Sequence, residues 1–474
     1  MAEAQLIAMS ANEIVRLLKK GDVSPLDLID ALEHRCDRVD GAVNALPTRD
    51  FGRARAAARA LMERPLTERG RLAGLPVPIK DLTNVAGMRS TMGSPIFADV
   101  VPKVSDVLVT HLEAEGALIY AKSNTPEFGA GANTFNEVFG ATRNPWNTAL
   151  SAAGSSGGAA VSLATGMAWL AHGSDMGGSL RNPASFCGVV GMRPTPGRVA
   201  HSLTVKVDAT LGVQGPMART VEDCALLLDA MCGEEAADPL SKPRPATSFL
   251  AATRSGWKPK RVAYSPDLGI TPVDRRVVEI TRRAAHRLAE AGVIVEEAHP
   301  DLREAHEAFQ TLRALSFATS LSTLLRNHRD KLKPEVIWNI EKGLALTADD
   351  IVRAEHQRTA MTNRALAFFE TYDLLLCPTT IVPPFPVEER YVKAVEGHVF
   401  DNYVEWLAIV YAITLISGAS VSVPAGFTAD GLPIGMQVVA PANCEARALA
   451  GARLLEDVLD LNTLRPIDPR APAA

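Results

Sequence analysis

The chain contains 474 residues, of which 47% are hydrophobic and 22% charged, and its formal net charge is −5. This composition is typical of a globular protein with a sizeable core, which excludes a largely disordered chain. The slightly acidic balance argues against a protein that binds nucleic acid through its charge. Length alone suggests two or three domains, although large α/β proteins of this length often form one unit.

The six cysteines are scattered along the chain and form no CxxC pair. A disulfide scaffold needs more cysteine in a smaller chain, so free thiols in a reducing compartment are predicted. The first 14 residues lack the basic start and long apolar run of a signal peptide. We therefore expect a cytoplasmic protein, monomeric or homodimeric, with neither a nucleic-acid nor a membrane partner.

The first elements along the chain are marked by helix caps. Ser10 and Glu13 form a capping-box pattern, and Gly21 is a typical helix end. Ser24 followed by Pro25 marks the start of a second helix, since proline is favoured in a first helical turn. These signals predict two short helices at the N-terminus.

Strands and helices then alternate. Ser105 is predicted to begin a helix that ends at Gly116, and residues 117–121 read as a buried strand. A strand, an amphipathic helix and a second strand are predicted at residues 261–265, 274–291 and 293–297. Alternation of this kind with short apolar strands predicts an α/β class protein, with helices layered around a largely buried sheet.

The uncharged stretch of residues 406–427 is long enough to be mistaken for a membrane span. Gly418, Pro424 and Gly426 interrupt it, so we predict a buried helix, a loop and a buried strand near residues 420–423. Residues 300–420 as a whole are expected to be mainly helical and to shape a substrate pocket with residues 125–131. The bulky candidates for that pocket are Phe309, Phe317, Trp338 and Tyr411.

Two Gly-Ser clusters, at residues 154–158 and 177–179, are the most unusual feature of the sequence. No charge occurs between residues 154 and 174, so this part should be buried. Glycine lets consecutive N–H groups converge on one point, where they stabilise the oxyanion of an attacked carbonyl. Met176, Gly177, Gly178 and Ser179 fit such a turn, with the serine as a nucleophile. The alternative is a structural tight turn that ends in a capping serine.

A nucleophilic serine needs a base, and no histidine stands out near either cluster. Residues 154–158 match the G-x-S-x-G pattern of a nucleophile elbow, but residues 147–153 make a poor preceding strand. His172 is expected to be a core residue or to lie behind the site. Cys187, between Phe186 and Gly188, is interpreted as a packing residue.

Lys80 is the candidate base, because a mostly apolar run with two prolines leads directly into it. A lysine acts as a base only when it is neutral, which requires desolvation or nearby donors. The alternative is an exposed lysine at a strand end. Sequence spacing does not show whether Lys80 meets Ser155.

These segments together resemble the amidase signature family. The resemblance rests on residues 74–81, 154–158 and 175–181, extends through residues 182–188 and 193–198, and covers about residues 5–460. Shorter matches occur at residues 144–147, 215–219 and 431–435. The resemblance implies a single large α/β/α domain over residues 1–474, built around a mixed, twisted sheet, with a signature core at about residues 70–220.

The resemblance also implies a Ser-cisSer-Lys mechanism. Ser179 would attack the substrate carbonyl, and Ser155, preceded by a cis peptide bond, would relay the proton to neutral Lys80. The backbone N–H groups of Met176, Gly177, Gly178 and Ser179 would form the oxyanion hole, Ser156, Asp175 and Arg181 would support the turns, and Gly129 and Ser155 would contact substrate. Two positions depart from the family pattern, Ala153 in place of a glycine and Met176 in place of a frequent threonine.

The implied activity is hydrolysis of the C–N bond of small carboxamides, aryl or alkyl amides, through an acyl-enzyme on Ser179. Esters and carbamates (urethanes) are further candidate substrates. Neither a metal nor a cofactor is expected, because the metal and phosphate signatures are absent from the sequence. One alternative is the glutaminase subunit of a tRNA-dependent amidotransferase, whose glutamine-binding groups the sequence does not locate. The other alternative is a catalytically silent binding protein. The presence of all three residues of the implied triad, Lys80, Ser155 and Ser179, argues against it.

Overall fold

The structure is a computed structural model that describes residues 2–202, 209–461 and 466–472. The helices of these residues are α1 (Glu3–Ala8), α2 (Ala11–Lys20), α3 (Pro25–Val43), α4 (Phe51–Met62), α5 (Val107–Ala114), α6 (Gly157–Ala164), α7 (Arg181–Cys187), α8 (Val221–Met231), α9 (Phe249–Thr253), α10 (Arg275–Glu290), α11 (Ala305–His328), α12 (Pro334–Leu344), α13 (Ala348–Phe368), α14 (Ala408–Leu415) and α15 (Glu445–Leu459). The strands are β1 (Thr48–Arg49), β2 (Pro76–Lys80), β3 (Leu118–Ser123), β4 (Phe135–Asn136), β5 (Gly140–Ala141), β6 (Leu170–Asp175), β7 (Val190–Arg193), β8 (Val213–Ala218), β9 (Arg261–Tyr264), β10 (Ile294–Glu297), β11 (Leu374–Pro378), β12 (Ala394–Val395), β13 (His398–Val399), β14 (Ala419–Phe427) and β15 (Pro433–Ala440).

A large mixed sheet forms the centre of the fold, as predicted. Its strand order is β10-β9-β11-β15-β14-β7-β8-β6. The first three strands run parallel, and every later neighbouring pair runs antiparallel. A smaller sheet of order β1-β3-β2 brings the end of β2 beside β6.

Helices cover both faces of the large sheet, which confirms the predicted α/β layering. Strand β15 shows this, because successive side chains of a strand point to opposite faces. A Cβ at Gly435 would meet Ser185 of α7, whereas Val438, three residues on, faces Gly451 of α15. Helices α6 and α7 pack together on the first face, and α8, α10 and α15 pack together on the second.

The N-terminal caps are present as predicted, and one helix start is different. Ser10 and Ser24 each accept a hydrogen bond from the backbone three residues on, in complete capping boxes. Helix α5 begins at Val107 rather than Ser105. The Ser105 hydroxyl instead accepts a hydrogen bond from the backbone N–H of Ala86, so it holds a neighbouring loop.

The uncharged stretch of residues 406–427 folds as the sequence analysis predicts. It forms the short buried helix α14 and then β14, which lies between β15 and β7 inside the large sheet. In the part of the chain that the structure describes, no helix combines the length and the apolar character needed to cross a bilayer.

The start of α6 is packed so closely that it leaves no room for a side chain. A Cβ on Gly158 would lie 2.3 Å from Asn124 N and 2.5 Å from Ala45 O, and neither backbone atom can move aside easily. We expect Gly158→Ala to lower the free energy of unfolding by about 2–3 kcal/mol, a typical cost of overpacking. The measurement is the midpoint of unfolding in urea.

Gly41→Ala is the matched control, because Gly41 lies in α3 with no atom within 4 Å of an added Cβ. Alanine stabilises a helix relative to glycine by up to about 1 kcal/mol. The urea midpoint of Gly41→Ala should therefore equal or exceed that of the wild type. Equal midpoints for the two variants would show that the start of α6 is not rigid.

Candidate active site

Lys80 is fully buried at the end of β2, whose five residues are all buried. Its Nζ lies 2.8 Å from Ser155 Oγ, 2.9 Å from Ser156 Oγ and 3.0 Å from Ser174 Oγ. The lysine is therefore not the exposed strand-end residue of the alternative interpretation. Its amine is held by three hydroxyl groups.

Burial lowers the pKa of Lys80 to about 7, although the negative charge of Asp175 acts in the opposite direction. An amine with this pKa exists in both its neutral and its protonated form near pH 7. Such an amine can accept a proton and return it within one reaction cycle. No carboxylate is hydrogen-bonded to Nζ among the residues described, which allows the neutral form to persist.

The first Gly-Ser cluster forms the turn that enters α6, and the peptide bond between Gly154 and Ser155 is cis. Ser155 presents its hydroxyl to Lys80, and it is 2% exposed. The backbone N–H of Ser156 donates to the carbonyl oxygen of Ser179 at 3.2 Å, so the first turn is tied directly to the second. The two clusters, distant in sequence, thus meet at one point.

The second cluster leaves β6 and enters α7 as a tight turn that carries Ser179. Of the four predicted oxyanion donors, the N–H of Gly178 already donates within the protein, to Asp175 Oδ1 at 3.0 Å. Within the described residues, the N–H groups of Met176, Gly177 and Ser179 donate to no protein acceptor. These three remain as candidate oxyanion donors.

Asp175 holds this turn from inside, as the sequence analysis expected of a supporting residue. Besides Gly178, it accepts a hydrogen bond from the N–H of Leu180 at 3.1 Å and a two-pronged ion pair from Arg181 at 3.0 and 2.9 Å. Arg193 lies 3.4 Å from the same carboxylate. Although burial opposes ionisation, the two guanidinium groups hold the pKa of Asp175 well below its usual range.

Arg181 in turn connects the turn to the C-terminal half of the chain. Its Nη1 donates to the carbonyl oxygen of Val410 at 2.9 Å and to Gln437 Oε1 at 2.7 Å. Its Nη2 donates to the Thr414 hydroxyl at 3.1 Å. The orientation of the Ser179 turn therefore depends on α14 and β15.

His172 lies behind the site, as expected. It is fully buried, its Nδ1 accepts a hydrogen bond from the backbone N–H of Lys80 at 3.3 Å, and its Nε2 lies 2.8 Å from Gln214 Oε1. Burial lowers the pKa of His172 to about 3, so the imidazole stays neutral. It fixes the end of β2 and does not reach Ser179. Cys187 is also fully buried, and burial raises the pKa of its thiol, as a packing residue requires.

A cavity of about 240 Å³ opens onto both serines. Its described lining is Leu82, Phe128, Gly129, Ser155, Ser174, Asp175, Met176, Ser179, His201, Gly212, Val213, Gln214, Arg313 and Phe317. Ser179 is partly exposed there, whereas Lys80 lies behind Ser155. No hydrogen bond joins the hydroxyls of Ser155 and Ser179 in the described chain, so of these two serines only Ser155 is hydrogen-bonded to Lys80.

The predicted pocket residues divide into two groups. Gly129 and Phe317 line the cavity, and a Cβ on Gly129 would come within 3.3 Å of Ser155 Oγ. Phe309 and Tyr411 are wrong as lining residues, because they stack on each other with centroids 4.2 Å apart beneath the Ser179 turn. Trp338 packs against other aromatic and charged side chains of the helical region instead.

Sequence reasoning missed four polar lining residues: Ser174, His201, Gln214 and Arg313. Arg313 carried a usable signal, because it is the only charged residue between positions 308 and 325 of an otherwise uncharged helical run. A lone arginine in such a run indicates a buried guanidinium with a specific role. Ser174 and His201 carry no comparable local signal.

Known proteins are similar to this chain along almost its whole length. The amidase family model matches residues 27–449. An acylamidase of Rhodococcus erythropolis is 35% identical over 99% of this chain and 99% of its own. One glutamyl-tRNA(Gln) amidotransferase subunit, from Moorella thermoacetica, is 32% identical over 98% of this chain and 99% of its own. The crystal structure of a bacterial aryl acylamidase superimposes with a TM-score of 0.90 at 27% identity, over 98% of this chain and 99% of that chain.

The chain belongs to the amidase signature family. It is an amidase, a hydrolase that acts on the carbon–nitrogen bond of linear amides.

Proposed function

We propose that the protein hydrolyses small amides through an acyl-enzyme on Ser179, with Ser155 and Lys80 as proton carriers. The observation that carries this proposal is the fully buried Lys80, whose Nζ lies 2.8 Å from Ser155 Oγ beside the cavity that Ser179 lines. A buried amine beside a serine pair is a base placed for acyl transfer.

In the first half of the reaction, Ser179 Oγ attacks the amide carbonyl and its proton passes through Ser155 to neutral Lys80. The negative oxygen of the tetrahedral intermediate accepts hydrogen bonds from the N–H groups of Met176, Gly177 and Ser179. Lys80 then returns the proton through Ser155 to the departing nitrogen, the C–N bond breaks and the amine leaves.

In the second half, water attacks the acyl-enzyme ester and Lys80 removes its proton by the same route. The second tetrahedral intermediate breaks its bond to Ser179 Oγ, which takes back the proton. The products are a carboxylic acid and an amine, and the enzyme returns to its starting state. Esters and carbamates (urethanes) present the same carbonyl and a leaving group that Lys80 can protonate, so the chemistry extends to them.

The mechanism predicts an acid limb in the pH profile. Lys80 accepts a proton only when neutral, and its pKa is lowered to about 7. We therefore expect kcat/KM to be maximal above pH 7 and to fall about tenfold per pH unit well below it. The measurement is kcat/KM between pH 5 and 9 in buffers of constant ionic strength. A rate that stays level down to pH 5 would contradict the role of Lys80.

The walls of the cavity favour an apolar group next to the scissile bond. Leu82, Phe128, Val213 and Phe317 provide apolar surface around the two serines, and Met176 adds a flexible thioether. Aryl and small alkyl amides match this lining. The acylamidase and aryl acylamidase relatives bear names of the same substrate class.

The glutaminase alternative is supported by the amidotransferase relatives, but the cavity disfavours it. A glutamine site is expected to contain a carboxylate of the protein that binds the α-ammonium group of glutamine. The only acidic residue in the described lining is Asp175, which is already paired with Arg181 and Arg193. We therefore assign the chain to the free-standing amidases.

A hydrolysis panel on the purified chain tests this assignment. It contains a p-nitroanilide, an aryl ester, a carbamate and glutamine. Turnover of the first three without glutaminase activity supports a free-standing amidase with broad leaving-group tolerance. Activity on glutamine alone, or activity only after amidotransferase partners are added, would overturn it.

We also propose a cytoplasmic location and a monomeric or homodimeric state. All six cysteines are free in the structure, and five of them are buried, which fits a reducing compartment. Size-exclusion chromatography with light scattering measures the oligomeric state directly.

A further inference from the structure

Arg313 is a buried cation on the wall of the active-site cavity. It lies in α11, it is 7% exposed, and it lines the same cavity as Ser155 and Ser179. Its Nη1 lies 3.4 Å from Met176 Sδ, and Met176 supplies one of the candidate oxyanion donors. The guanidinium therefore contacts the side chain of a residue whose backbone N–H is a candidate oxyanion donor.

The guanidinium is only partly satisfied by the protein. Its Nη2 donates to the Tyr403 hydroxyl at 3.1 Å, and its plane lies over the Phe317 ring at 4.5 Å. Its Nε is buried and has no hydrogen-bond partner among the described residues. Within residues 2–202, 209–461 and 466–472, no carboxylate lies within ion-pair distance of it. Buried guanidinium groups are normally paired with an anion, so the Arg313 guanidinium is available to bind an anionic ligand.

The charges around the cavity point the same way. Asp175 is the only carboxylate in the described lining, and it faces Arg181 and Arg193, both fully buried. With Arg313 included, the described residues at and directly behind the cavity wall carry three guanidinium groups and one carboxylate. Burial lowers the pKa of His201, so this lining histidine is neutral and does not change the balance near pH 7. The excess positive charge favours an anionic ligand.

We propose that Arg313 binds a carboxylate of the substrate, so that the enzyme prefers amides that carry an anionic group on their acyl or amine portion. The inference rests on the proposed amidase function and adds a substrate class to it. Arginine is the side chain best suited to a planar carboxylate, and Arg313 is an arginine on the cavity wall with no carboxylate partner among the described residues. The small cavity restricts the class to short chains such as the half-amides of C4 and C5 diacids.

Matched substrate pairs test the preference by kinetics. The first pair is glutaryl p-nitroanilide against pentanoyl p-nitroanilide, and the second is 4-(pentanoylamino)benzoate against pentananilide. A hydrogen-bonded charge pair in a buried site corresponds to about 10- to 100-fold in kcat/KM, so one pair should show that ratio in favour of its charged member. Ratios near one for both pairs would overturn the proposal.

Substitution then assigns the preference to Arg313. Arg313→Met should reduce the charged-to-neutral ratio by the same factor, and Arg313→Lys, which retains the charge without the fork, should keep part of it. Arg358→Met is the matched control, because Arg358 is a partly buried arginine of α13 that donates to Leu415 O outside the cavity lining. It should leave the ratio as in the wild type. An equal fall for both members of a pair would show a structural role for Arg313 and overturn the proposal.

Binding of anilides to the Ser179→Ala protein tests the carboxylate subsite independently of the proposed amidase function. Calorimetry with N-phenylglutaramate and with pentananilide does not require turnover. Tighter binding of the charged anilide, lost in Arg313→Met, would establish the subsite even if no amide were hydrolysed. Equal binding of the two anilides would overturn the subsite, and the hydrolysis panel would still decide the amidase function.

Discussion

Replacement of Ser179 by alanine should lower kcat for both amides and esters by about 10⁴-fold or more, as expected when a nucleophile is removed from a covalent mechanism. The Ser179 turn is held by Asp175 and Arg181 through backbone and side-chain contacts that do not involve the Ser179 hydroxyl. The variant should therefore fold normally and still bind substrate. Steady-state rates measure the loss of turnover. Mass spectrometry after treatment with a fluorophosphonate measures the loss of the reactive serine.

Ser162→Ala is the matched control for this substitution. Ser162 is a buried serine of α6 whose hydroxyl donates to Ala159 O of the same helix at 2.8 Å, away from the cavity. This variant should keep its turnover and gain the phosphonyl mass on Ser179. Retained turnover in Ser179→Ala, or labelling at another residue, would remove Ser179 from the mechanism.

Replacement of Lys80 by methionine should lower kcat/KM by about 10³-fold and abolish the acid limb of the pH profile, because a general base contributes on the order of 10²–10⁴-fold. Methionine has nearly the length of the lysine stem and fills the same buried space. The protein should remain folded, since no carboxylate of the described residues pairs with Lys80 and would lose its partner. The measurements are the pH profile and the midpoint of thermal unfolding.

Lys122 provides the contrast, because it is equally buried but paired differently. Its Nζ lies 3.0 Å from Asp81 Oδ1 and also donates to Thr83 O and Ser90 Oγ. Lys122→Met leaves a buried carboxylate without its cation, which typically costs about 3–5 kcal/mol of stability. Lys80→Met should therefore lower activity with little loss of stability, and Lys122→Met should lower stability. Unfolding caused by Lys80→Met with no effect of Lys122→Met would reverse this assignment.

The parts of the fold that could be predicted from the sequence are those with local causes. Ser10 and Ser24 cap their helices through neighbours three residues away, and such contacts require no knowledge of the rest of the chain. Helix α5 shows the limit of this reasoning. Ser105 is a good capping residue by type, but a loop 19 positions earlier takes its hydroxyl, and the helix begins two residues later.

The candidate site follows the same division. The two Gly-Ser turns and the apolar approach to Lys80 are visible in the sequence, but their meeting is not, because Lys80 and Ser155 are 75 positions apart. The Gly178 N–H donates to a residue only three positions earlier, but the Asp175 carboxylate that accepts it is also paired with Arg193, 18 positions away. Phe309 and Tyr411 are aromatic like pocket residues, and only the packing shows that they support the turn from below.

The anchoring of Arg181 has a consequence for the order in which the enzyme matures during synthesis. Its partners Val410 and Gln437 lie 229 and 256 positions further along the chain. A ribosome that has made all of the signature segment has therefore not yet made the groups that orient its nucleophilic turn. The nascent chain should stay inactive until β15 has emerged, so that a chain whose synthesis stops after the signature segment does not act as a hydrolase.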